Sequence, residues 1–230
     1  MNSPEPQSYR PTLVVGPDDA GAYLERLGIT SSVLLEALEA GERRASEITK
    51  FHPVTAAGLT RWIEVVGVLR DGLAVDADWI PSDDLNRPVT TRPDFAVSLS
   101  VVGGDELTGS LGADHQPKAA RRRGSATTAA LRDQLELITV AKVLEAEAVA
   151  PLTIADAVPE GQWFLLYHRE KGTGKLFCEV SKARDISDGQ FTGWLVRVIL
   201  DPLTFGGADV AVRPLDEGGD DLDFKITDAG

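Results

Sequence analysis

The apolar positions of this chain change rhythm near residue 95. Before that point they recur every three to four residues, the period of helices with one face on a core. After residue 160 they run in short blocks separated by glycine-containing turns, the mark of strands. Pro17 and Asp18-Asp19 open a first helix over AGAYLERLG. Thr30-Ser31-Ser32 open a second over VLLEALEAGERRASEITK, with Val33, Leu34, Leu38 and Ile48 on one stripe and Gly41 as a point of division. Pro53 suits the first turn of a third helix, because its missing N–H is not needed there. Val54, Ala57, Trp62, Ile63, Val66 and Leu69 then recur at helical spacing as far as a stop at Asp71-Gly72.

Pro81, Pro88 and Pro93 limit the next stretch to short edge strands around Trp79 and Val89. FAVSLSVVG alternates over Phe95, Val97, Leu99 and Val101, which predicts a strand with one face on the core. A wide apolar face carrying Leu131, Leu135, Leu137, Ile138, Ala141 and Leu144 predicts a long helix over 129–147. WFLLYHR, KLFCEVS and ISDGQFTGWLVRVIL predict a three-stranded antiparallel meander over 162–200, and VAVRPL a further strand. The fold class is therefore α+β: N-terminal helices, a central strand–loop–long helix, and a C-terminal β-meander. The expected organisation is a flexible arm at 1–12, a mainly helical lobe with a central strand at 13–150, an antiparallel β lobe at 151–215 and an acidic tail at 216–230.

At 230 residues and 43% apolar content the chain can bury a sizeable core. No window approaches the roughly 18 consecutive apolar residues of a membrane span, and MNSPEPQSYRP lacks the features of a signal peptide; a soluble cytoplasmic protein without membrane contact is expected. The abundance of Ala, Val, Gly, Asp and Arg suggests a bacterial source. Thirty-six acids against 23 bases give a net charge of −13, which argues against non-specific nucleic-acid binding over the whole surface. The single Cys178 and three His leave too few soft ligands for a structural zinc site, and no cofactor is named by any motif.

The densest positive charge lies just before the 129–147 helix. Lys118, Arg121, Arg122 and Arg123 supply cations, Gly124 permits close approach, and Ser125, Thr127 and Thr128 add hydroxyls. Such a corner suits a phosphate or another anion: a nucleotide, a nucleic-acid phosphate or an acidic protein partner. A capped, solvated loop explains the same residues.

The first functional expectation is therefore an intracellular binding or adaptor protein with an anion-binding corner. One alternative is a metal-assisted phosphodiester hydrolase using Asp94, Asp105, Glu106 and Glu179 with Lys182 as charge stabiliser. Its weakness is that Glu179-Val-Ser-Lys182 puts the two charges on opposite faces of a strand. Another is a non-catalytic subunit of a larger assembly. Lys171-Gly-Thr-Gly-Lys175 lacks the full phosphate-loop pattern and reads as a hairpin turn, while His52, His168 and Cys178 stand in no nucleophile context.

Overall fold

The computed structural model describes residues 12–77, 79–131 and 160–205. The expected N-terminal arm, the continuation of the long helix to 147, the VAVRPL strand and the acidic tail fall outside them. In chain order the elements are β1 (Leu13–Val15), α1 (Pro17–Leu27), α2 (Ser31–Ser46), α3 (Ala56–Ala77), β2 (Ile80–Ser82), β3 (Val89–Arg92), β4 (Val97–Gly103), β5 (Gly161–Arg169), β6 (Lys175–Ser187), β7 (Gln190–Ile199) and β8 (Leu203–Thr204). A further helix opens at residue 125 and is described through 131.

The strands form one mixed sheet in the order β1-β7-β6-β5-β4-β3-β2, with β8 paired to β6. The predicted meander is present as β5–β6–β7, antiparallel throughout. β4 runs parallel to β5, with Leu99 beside Trp163, and β1 runs parallel to β7. The segments read as a helical lobe and a β lobe thus contribute neighbouring strands to the same sheet.

Both faces of the sheet are covered. On one, Leu99, Trp163, Leu165, Val180 and Val198 pack against Leu24, Leu34, Leu38, Leu69 and Leu73 of the three helices. On the other, Phe164, Leu166, Phe191 and Trp194 form a smaller core with Ala119 and Leu131. Phe191 links Phe164 and Trp194, with ring centroids 4.8 and 4.6 Å away. This second layer buries every residue of β4, including the serines that the alternation assigned to the polar side. Their hydroxyls are satisfied instead by Gln162. Ser98 Oγ donates to Gln162 Oε1 (3.1 Å) and Gln162 Nε2 donates to Ser100 Oγ (3.1 Å).

Two glycines expected to break helices instead let helices meet. Gly41 lies inside α2 because a Cβ there would collide with Val65 and sit 2.9 Å from the Arg61 carbonyl oxygen. Gly72 lies inside α3, where a Cβ would come within 3.0 Å of Val33, so α3 continues past it to Ala77. The packed stripe of α3 is also rotated from the expected one. Val65, Leu69 and Leu73 are buried, whereas Val54 and Ile63 are exposed. Arg61 occupies a turn of the buried stripe, and its Nε donates to Glu42 Oε2 at 2.7 Å. Glu42 also accepts from Arg169 Nε at 2.8 Å. Burial raises the Glu42 pKa, but Arg61 and Arg169 together outweigh it and hold the carboxyl below its usual range.

Candidate functional site

The loop carrying the arginines is tied to the sheet at several points. β4 ends where Gly104 bridges Ala119, and a Cβ at Gly104 would run into the Thr108 side chain. Ala120 N donates to Gly103 O (2.8 Å), the Gln190 amide to Ala119 O (3.0 Å), the Trp194 indole to Pro117 O (3.0 Å), and Arg123 N to Gly189 O (2.7 Å). A Cβ at Gly189, which has a φ of +71°, would meet Arg123 O at 2.6 Å, so only glycine admits the loop this close to the β6–β7 turn.

Beneath the loop lies an ion pair, one member of which, Glu179, sequence reading offered as a hydrolase acid. Glu179 and Arg197 face each other from β6 and β7, both side chains wholly removed from solvent. Glu179 accepts from Arg197 Nε (2.9 Å), Arg197 Nη2 (2.5 Å), Ser181 Oγ (2.7 Å) and the Gly109 N–H (2.8 Å). Arg197 Nη1 donates onward to the carbonyls of Gly112 (3.3 Å) and His115 (3.1 Å). Every lone pair of the carboxylate is engaged, so this pair anchors the loop. The signal was present as lone charges inside the apolar runs LFCEVS and WLVRVIL.

The eight residues of the expected anion corner are brought to one place but divided by burial. Arg123 and Thr127 are buried, Lys118, Arg122 and Ser125 are exposed, and Arg121, Gly124 and Thr128 are intermediate. Thr128 Oγ1 donates to Gly124 O at 3.3 Å, one turn back along the helix. The outward chemistry of the corner therefore rests chiefly on Lys118, Arg122 and Ser125.

Of the carboxylates in the hydrolase alternative, Asp105 and Glu106 stay side by side in the turn after β4, Asp105 half-buried and Glu106 exposed. Asp94 is exposed before the start of β4 and Asp105 follows its end, separated by a strand that rises about 3.3 Å per residue, hence roughly 20 Å or more. Asp105 Oδ1 accepts from Leu107 N at 3.2 Å. Burial raises its pKa against the lowering effect of backbone N–H groups from Lys118 and Leu107. Lys182 is paired in register with Trp163 and Val196 on the helix-covered face, opposite to Glu179. Burial pushes its ammonium down to about 8, with Glu160 opposing. Cys178 is buried and its thiol is pushed up to about 12, first by burial and then by Glu179 and Asp201. Among the described residues no group of three or more His, Cys, Asp or Glu is placed to hold a metal ion.

An open apolar surface belongs to α3. Its inner stripe packs against α2 and the sheet, yet its outer side is also apolar. Leu59, Ile63 (55% exposed) and Val75 (77% exposed) project from it. Gly67 lies between them, and a Cβ there would meet nothing within 4 Å. Beside this face is a cleft of about 280 Å³ lined by Trp62, Ile63, Val66 and Pro88, with Arg70, Asp83 and Asn86 at its polar side. Trp62 is steadied by its indole N–H, which donates to Val101 O at 3.3 Å. Arg70 closes the cleft by donating to Ser82 O and to Asp83 Oδ1 (2.9 Å). The adjoining turn puts Leu85 and Asn86 at φ values of 56° and 57°; Leu85 is 81% exposed there, an apolar side chain on a backbone that leucine disfavours.

No helix among the described residues is long and apolar enough to cross a membrane. No protein family, curated protein or solved structure matches the chain.

Proposed function

We propose that this is a non-catalytic binding protein, an adaptor or a subunit of a larger assembly, that engages its partner through the outer face of α3. The observation that carries the reading is a 22-residue helix that is apolar on both sides. A helix with apolar residues on both sides is ordinarily covered on both, and among the described residues the outer side of α3 stands open with Leu59, Ile63 and Val75 on it beside Glu64, Arg70 and Asp71. The neighbouring cleft and the exposed Leu85 extend the same surface. The hydrolase reading receives less support, since Asp94 lies a strand's length from Asp105 and Glu106 and Glu179 is consumed by Arg197.

The arginine corner enters as a second contact. Lys118, Arg122 and Ser125 face outward from a loop whose backbone is held by Gly103, Gly189 and Gln190, so a phosphate-bearing or acidic surface would meet them without the entropy cost of ordering a free loop.

Co-purification from the native cell tests the reading. The wild-type chain is compared with Ile63→Asp and with Arg122→Glu, each shown by circular dichroism to be folded. A protein retained by wild type and lost with Ile63→Asp supports the α3 face. Retention of the same proteins by Ile63→Asp would overturn it, and loss with Arg122→Glu alone would move the contact to the loop.

A further inference from the structure

We infer that the segment docking on α3 is a basic amphipathic helix, a step that rests on the docking role proposed above for that face. Shape is the first argument. α3 presents about 33 Å of straight surface. Thr60, Ile63, Gly67 and Ala74 fall near the centre line of its outer side, within an arc of about 60° at 100° per residue. Three of these four are small, and Gly67 sits at the midpoint of the helix, where a Cβ would have no neighbour within 4 Å among the described residues. Elsewhere in these helices Gly41 and Gly72 are occupied by close helix crossings. Gly67 offers the same opportunity to a helix from outside, whose axis can then approach to about 8 Å. Leu59 and Val75 flank this line on opposite sides, about 160° apart at 100° per residue and toward the two ends, and the cleft can take a large apolar side chain.

The adjoining sheet edge argues against an extended peptide. β2 is the outermost strand on that side, and its central residue, Pro81, has no N–H with which to pair an added strand.

Charge selects the partner. From Glu64 to Asp84 the chain carries six acids and one base. That base, Arg70, is engaged by Asp83 and Ser82, while Asp71 is exposed and Asp83 largely so. A helix bearing Lys or Arg on either side of an apolar stripe would meet Asp71 and Asp83 at the rim, with Glu64 beside them in a 4.0 Å pair with Arg44, and Ile63 and Gly67 at the centre. A second copy of this chain fits less well. In an antiparallel two-fold pair about Gly67, Glu64 would lie on the same flank as Asp71 of the copy, and each copy carries a net charge of −13.

The test uses the full chain and three synthetic helices of about 18 residues, or five turns. One has leucines at i, i+3, i+4 and i+7 with lysines elsewhere. The second replaces lysine with glutamate, and the third scrambles the first. Binding is read by calorimetry and by the fluorescence of Trp62, because Trp79, Trp163 and Trp194 are at most 2% exposed. The leucine–lysine helix is expected to bind at least about tenfold more tightly than the other two. Glu64→Lys/Asp71→Lys/Asp83→Lys should reverse the order of the lysine and glutamate helices, and Gly67→Leu should abolish binding while leaving the fold intact. Equal binding of the two charge types, or binding indifferent to both variants, overturns the inference. If no helix binds but Ile63→Asp still removes the native partner, the basic-helix inference fails and the α3 reading stands. If Ile63→Asp also leaves co-purification unchanged, both fail.

Discussion

Replacing Lys182 with methionine should make the protein more stable, although lysine is the native residue. The residue is 2% exposed on the helix-covered side of β6, with Glu160 the acid that offsets its burial. Burial lowers its pKa from 10.5 to about 8. At ~1.4 kcal/mol per tenfold, the difference corresponds to about 3 kcal/mol of cost wherever lysine is charged in both states, that is, below pH 8. Between pH 8 and 10.5 the unfolded chain binds the proton that the folded chain has released, so stability associated with this residue rises with pH. Methionine keeps an unbranched apolar stem of similar length and removes the charge. Urea unfolding at pH 7 should show Lys182→Met to be more stable by about 1–3 kcal/mol, a rise in Tm of about 2–4 °C for each kcal/mol. Repeating the measurement at pH 8.5 and 10 should show the gap between the two proteins closing, while other titrations common to both cancel. A variant less stable than wild type at pH 7, or a gap that does not change with pH, would refute the reasoning.

Glu179→Gln should lower stability by about 3–5 kcal/mol in denaturant unfolding, because the Arg197 charge stays buried with its partner neutralised. Gly41→Ala should destabilise through its collision with Val65, whereas Gly67→Ala should stabilise by about 0.5–1 kcal/mol, and thermal melts of the pair separate a packing glycine from an open one. Arg122→Glu should leave stability within about 0.5 kcal/mol, while Arg123→Glu, which puts a carboxylate where the backbone meets Gly189, should cost more than about 2 kcal/mol. If the loop contacts phosphate, fluorescence anisotropy with a labelled oligonucleotide should also show weaker binding and a flatter salt dependence for Arg122→Glu.

The α+β class and the meander were legible because Trp163–His168, Phe177–Val180 and Phe191–Ile199 combine β-forming residues with glycine turns at Gly172, Gly174 and Gly189, all at positive φ. α3 was legible as a helix but not in its orientation. Arg61 stands in the packed stripe because Glu42 receives it, and a purely apolar criterion passes over it in favour of Ile63. Gly41 and Gly72 looked like breaks because sequence does not reveal what lies across from a glycine. The arginine run was legible as a charge cluster, yet its division into buried Arg123 and exposed Arg122 depends on the β6–β7 turn, distant in the chain. The outer face of α3 escaped notice for a different reason. Extra apolar residues on a helix look like a stronger core, and only the fold shows that Ile63 and Val75 are exposed, with no cover among the described residues.

Site-specific photo-crosslinking in the native cell tests the central claim most directly. A photoreactive residue is placed singly at Ile63, at Val75, at Arg122 in the second contact and, as a control on another surface, at Thr192, the last two both exposed. The account expects one discrete heterologous protein adduct, the same from Ile63 and Val75, with its crosslinked residue mapped by mass spectrometry to an apolar position of a helix, and no such adduct from Thr192. Adducts from Ile63 and Val75 no stronger than those from Thr192, or a discrete adduct from Arg122 alone, would contradict it.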